Sequence, residues 1–136
     1  MSHRLRRAGR GLSGSLLFSL ALLAGCGDDD DDGTEAQRHG VGAACAGNAE
    51  CREPGQHCLE FKAGYCGIAD CASNLDCPSG SACVRHDDGR NYCFLICTDK
   101  VQCNRTRPPD AEANCSANIE FVDGDLPVKA CVPPTG

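Results

Sequence analysis

Polar and apolar positions divide the chain into three stretches of different character. Residues 4–10 carry Arg4, Arg6, Arg7 and Arg10 and no acid, and residues 12–24 are then mostly apolar, with Leu16-Leu17-Phe18 and Leu20-Ala21-Leu22-Leu23 at their centre. A basic segment followed by a short apolar one predicts an export signal over residues 1–25. The run falls short of the about 20 apolar residues that a membrane-spanning helix needs. Residues 27–42 contain no apolar cluster and open with five successive carboxylates, Asp28 to Asp32. Like charges in a row repel and stay solvated, so residues 26–44 are expected to form a flexible acidic tether. Beyond it, short β-favouring runs flank the turn signals Lys62-Ala63-Gly64, Asp87-Asp88-Gly89 and Asp123-Gly124-Asp125. Gly-containing turns between such runs predict three hairpins.

The cysteines divide this last stretch in the same way. Twelve of them fall into three groups: Cys45, Cys51, Cys58, Cys66; Cys71, Cys77, Cys83, Cys93; and Cys97, Cys103, Cys115, Cys131. Five residues separate the first two members each time, and Glu50, Asp76 or Gln102 precedes the second. Pro54-Gly55 and Pro78-Ser79-Gly80 add a turn before the third cysteine of the first two groups. A recurring unit of this kind is one supersecondary element used several times. The expected units are 45–70, 71–96 and a more divergent 97–136.

Composition explains why crosslinks are needed. Thirteen cysteines in 136 residues, with two tyrosines, four phenylalanines and no tryptophan, leave too little apolar bulk for an ordinary core. Zinc sites pair ligands across two to four residues, whereas the recurring spacing here is five, and an exported chain meets an oxidising compartment. Six disulfides are therefore expected and no metal or cofactor. Four cysteines allow three pairings, which spacing alone does not separate. The preferred one is first-to-third with second-to-fourth, because it would interlock the opening turn with both ends of the hairpin: Cys45–Cys58, Cys51–Cys66, Cys71–Cys83, Cys77–Cys93, Cys97–Cys115 and Cys103–Cys131.

Charge narrows the partners. Removing the four leader arginines takes the formal net charge from −6 to −10. Binding to nucleic acid or anionic lipid through charge is not expected. The Asp run lacks converging ligands for calcium. No catalytic constellation is evident: His86 could pair with Asp87 or Asp88, but neighbours on a hairpin tip rarely form a triad, and the tip reads as a solvated turn. The same tip sets Arg85, His86 and Arg90 on an acidic protein, and these are the candidate contacts for a partner.

Two resemblances complete the reading. Leu23-Ala24-Gly25-Cys26, placed at the end of the leader, resembles the lipobox of bacterial lipoproteins. That resemblance implies cleavage between Gly25 and Cys26, acylation of Cys26, and a membrane anchor. It also accounts for the odd thirteenth cysteine. In lipoproteins an Asp at the second mature position is linked to inner-membrane retention, and Gly27 there favours the outer membrane. Residues 71–93, in the pattern Cys-x5-Cys-Pro-x-Gly-x-x-Cys followed by a turn and a Cys, resemble the Dickkopf N-terminal cysteine-rich repeat and the related EB modules. The first group fits, while the third lacks the Pro-Gly and has longer gaps. This resemblance implies a small disulfide-rich fold with the pairing above and no enzyme activity.

The expected protein is thus a small disulfide-rich fold of three tandem short β-hairpin modules, with little helix apart from the signal peptide. Its expected role is that of a non-catalytic cell-envelope lipoprotein, anchored by lipid and binding an unidentified protein or envelope partner. A secreted, non-lipidated ligand or inhibitor and a small exported redox protein or enzyme are the alternatives.

Overall fold

The computed structural model describes residues 35–136. The expected leader, the expected cleavage and lipidation at Gly25–Cys26, and residues 27–34 lie outside the described residues. Among those described, no helix is long and apolar enough to cross a membrane. The protein is a small disulfide-rich β fold with six bridges, two sheets and two short helices, α1 (Glu35–Arg38) and α2 (Lys100–Asn104).

Each repeat is built in one way. The segment after its first cysteine turns once as a helix: a 3-10 turn at Asn48–Glu50, another at Asn74–Asp76, and α2 in the third repeat. The residue before the second cysteine closes that turn. Glu50 Oε2 accepts from the Ala46 N–H at 2.8 Å, Asp76 Oδ2 from the Ala72 N–H at 2.8 Å, and Gln102 Oε1 from the Thr98 N–H at 2.8 Å. Only a side chain with an acceptor oxygen can do this, which explains the acid or amide at that position. The third and fourth cysteines then stand opposite each other on antiparallel strands: Cys58 and Cys66 on β1 (His57–Leu59) and β2 (Tyr65–Gly67), Cys83 and Cys93 on β3 (Ser81–Arg85) and β4 (Asn91–Cys97), Cys115 and Cys131 on β5 (Asn114–Ser116) and β7 (Lys129–Val132). Opposed residues project from the same face. Both therefore reach the helical turn, and each repeat is bridged first-to-third and second-to-fourth.

The three expected hairpins, β1–β2, β3–β4 and β5–β7, follow one another along the chain, and the second and third are joined in one sheet. β1 and β2 form one ladder, but the other five strands form a single sheet in the order β5-β7-β4-β3-β6, where β6 is Glu120–Phe121. The long gap between Cys115 and Cys131 holds β6, which leaves its own repeat to pair with β3. One apolar cluster draws on all three repeats, including Tyr65, Phe94, Val84, Phe121 and Ala130.

The tether expected over residues 26–44 also ends sooner. Ala36 and Val41 are buried in that same cluster, and the Ala36 N–H donates to the Ser79 carbonyl at 2.7 Å. Two apolar side chains five residues apart were too sparse to mark this segment as core. Their burial follows from the cleft that the second and third repeats present to them.

Candidate functional site

β5 and β6 lie at opposite edges of the sheet, yet only residues 117–119 join them. Four residue steps reach at most about 14 Å. The sheet must therefore curl until its edges face each other, and a groove of about 690 Å³ lies where they approach. Val84, Phe94 and Val132 supply apolar surface, and Arg85, His86, Asn114, Ser116, Asn118 and Glu120 supply hydrogen-bonding and charged groups.

The structure separates the three tip residues that sequence reasoning grouped. Arg85 lines the groove; its Nε lies 3.4 Å from Glu120 Oε1, its cross-strand neighbour, and its side chain is half exposed. His86 also lines the groove but is not on a solvated turn: it is 9% exposed. Its ring stands edge-on to Phe61, Tyr92 and Phe94 at centroid distances of 5.3, 5.8 and 6.0 Å, and its Nδ1 lies 3.4 Å from Asp88 Oδ1. The imidazole is a wall between groove and core. Arg90 faces a different, smaller cleft of about 240 Å³ with Glu60, Asp88 and Tyr92. Its guanidinium grips Asp70 through Nε at 3.2 Å and Nη2 at 2.9 Å, and lies 5.5 Å from the Tyr92 ring centroid.

Electrostatics around the tip follow from these contacts. The hydrogen bond from Arg90 holds the Asp70 carboxyl below its ordinary value of 3.8. Burial pushes Asp88 upward, but hydrogen bonds from the Tyr92 hydroxyl and the Arg90 N–H outweigh it, and Asp88 also titrates low. Burial, with Asp88 beside it, pushes Tyr92 up to about 12.

Arg107 is the residue that sequence reasoning missed. It is 7% exposed and donates to four backbone carbonyls: Ala111 through Nε at 2.8 Å, Gly64 and Gly42 through Nη1 at 2.8 and 3.4 Å, and Lys62 through Nη2 at 2.7 Å. It lies 5.7 Å from the Tyr65 ring centroid. Nothing in Thr106-Arg107-Pro108 signals this, because three of the four carbonyls belong to the first repeat or the segment before it.

The twelve cysteines offer no thiolate. In each repeat three sulfurs of two adjacent bridges lie within 4.8 Å of one another, as at Cys45, Cys51 and Cys66, but a bridged sulfur is not the anionic ligand a zinc site requires.

Fold and groove together define a small disulfide-rich β protein with a polar-walled cleft in a curled sheet. No family model matches the chain, and neither a curated protein nor a solved structure does.

Proposed function

We propose that the protein is a cell-envelope lipoprotein. Cys26 is the lipidated amino terminus, and the disulfide-rich domain displays a non-catalytic binding surface. The observation that carries this reading is the position of the odd cysteine. The six bridges take up Cys45 through Cys131, so Cys26 alone has no partner within the chain. It follows Leu23-Ala24-Gly25 at the end of a basic-then-apolar leader. A thiol in that place is what thioether formation with a diacylglycerol requires. Six bridges also fit an oxidising compartment. Gly27 favours the outer membrane.

The groove is the natural place for a partner. It sits on a rigid crosslinked sheet, and it combines apolar surface with a few polar groups, as binding clefts do. Arg85 and His86 would meet the partner there, while Arg90 faces the separate cleft beside Glu60 and Tyr92.

The test is Cys26→Ser in the natural host, with acyl labelling and fractionation. Wild-type protein should take up label and sediment with membranes, and the variant should remain as an unprocessed, unlabelled precursor. A variant that is cut and membrane-bound like the wild type overturns the lipoprotein reading.

A further inference from the structure

The hydrogen-bonding groups of the groove share a character that selects a ligand. The side chain of His86 is 7% exposed, and its Nδ1 is turned to Asp88, 3.4 Å from Oδ1 and 3.5 Å from the N–H. Nε2 has no partner among the described residues. It is not sealed off either, since the one enclosed and unpartnered side-chain atom among those residues is Gln56 Oε1. The cavity that the ring lines is the groove, so Nε2 opens into it.

The β5 side of the groove has the same character. Asn114 and Ser116 stand two residues apart on β5 and share a face, while Cys115 between them turns the other way to its bridge with Cys97. Asn118 follows in the loop, where its N–H donates to Ser116 Oγ at 3.1 Å. Both asparagine side chains are exposed and have no partner among the described residues. Each of these amides, the hydroxyl and the imidazole carries a donor and an acceptor, and is satisfied by a ligand group that can be both. A hydroxyl is such a group. The Arg85–Glu120 pair sets a donor beside an acceptor in the same way, 3.4 Å apart.

Charge does not choose the ligand. Arg85 is the one cation lining the groove and is committed to Glu120, and the remaining charge, Asp87, is exposed to water, where an ion pair contributes little. Apolar anchoring does not choose it either. Val84 and Phe94 are 1% and 0% exposed, so the apolar surface is that of Ile119 and Val132, both partly buried. The aromatic or aliphatic anchors that hold peptides find little there to pack on. The C–H face of a sugar ring needs no more.

We infer that the groove binds a neutral carbohydrate, whose hydroxyls pair with His86 Nε2, Asn114, Ser116 and Asn118. The inference rests on the reading of the groove as a non-catalytic binding site and gives that site its ligand class. A volume of about 690 Å³ lies within the range of small-ligand clefts and suits an oligosaccharide of a few rings.

The test uses the processed protein from its host, with its histidines isotope-labelled for NMR, in a detergent without sugar headgroups. Short neutral oligosaccharides of hexose or N-acetylhexosamine are titrated in and, as the competing class, end-capped uncharged peptides. An oligosaccharide should shift the ring nitrogens of His86 and leave those of His39 and His57 in place. Asn114→Ala with Asn118→Ala should weaken that binding about tenfold or more, because two hydrogen bonds are lost. Thermal stability should be unchanged, since neither side chain serves the fold. Peptides that shift His86 where the oligosaccharides do not overturn the carbohydrate class and keep the groove. An oligosaccharide that binds with His86 unmoved, and equally well to the double variant, overturns the groove as the site. Binding by none of the oligosaccharides overturns the inference outright.

Discussion

Arg107 shows how one residue can join distant parts of a chain. Its planar guanidinium satisfies carbonyls from the first repeat, from residue 42 and from its own loop at once. Truncation would leave those buried acceptors without a donor, at about 1–3 kcal/mol for each that water cannot reach. Arg107→Met should therefore lower unfolding free energy by about 3 kcal/mol or more, measured in urea with the bridges intact. Arg107→Lys should recover only part, because an ammonium cannot present the same fork. The tip carboxylates give a pH signature. A carboxyl whose folded pKa is lowered contributes stability above its unfolded value and loses it as pH falls through the folded value. Asp70 and Asp88 are both of this kind, so stability should fall as pH drops below about 3.8, and Asp70→Asn with Asp88→Asn should flatten that fall. The tyrosines act at the other end. Burial pushes Tyr65 up to about 12, and Tyr92 likewise stands at about 12 against an ordinary 10.0. A raised phenol contributes stability as the neutral form, present below pH 10 and lost as pH rises from 10 toward 12. Thermal melts across that range, compared with Tyr92→Phe, check the sign.

At the scale of elements, the helical turn and the opposed cysteine pair are one device. The turn brings the first and second cysteines to the strand face from which the third and fourth project. Asp76→Ala removes the acceptor for both Ala72 and Ser73, and should cost about 1 kcal/mol, as loss of a cap does, while peptide mapping finds the same bridges. Gly64 is less forgiving. It has φ +68°, and a Cβ there would lie 2.0 Å from the Cys45 carbonyl oxygen and 2.7 Å from the Cys45 and Cys58 sulfurs. Gly64→Ala should therefore impair closure of Cys45–Cys58, seen as free thiol in the purified protein. The turn signals at residues 62–64 and 87–89 were legible because hairpin reversal is local chemistry: Gly64 and Gly89 both occupy positive φ. The excursion of β6 was not legible, because its partner Val84 is fixed only when the sheet assembles.

At the scale of the whole molecule, the described residues of all three repeats share one core. The core cluster takes residues from every repeat and from residues 36 and 41, and the β4–β7 and β3–β6 ladders cross repeat boundaries. Urea unfolding of the oxidised protein should show one transition by every probe, whereas independent modules would give separable ones. Each bridge closes 12 to 28 residues of sequence separation and contributes roughly 3 kcal/mol by restricting the unfolded chain. Reduction should abolish the fold, with loss of near-ultraviolet circular dichroism. What the sequence by itself determined is what depends on short separations: the number of bridges, the helical turn closed by an acid or amide, and the Gly-bearing reversals. Tertiary structure alone decided that His86 lines a groove as part of an aromatic wall, that Arg107 is buried, and that residues 36 and 41 belong to the core. The physical reason is that burial is a property of surfaces meeting. The surfaces that cover His86, Arg107 and Ala36 come from other repeats, and local spacing carries no record of where those repeats dock.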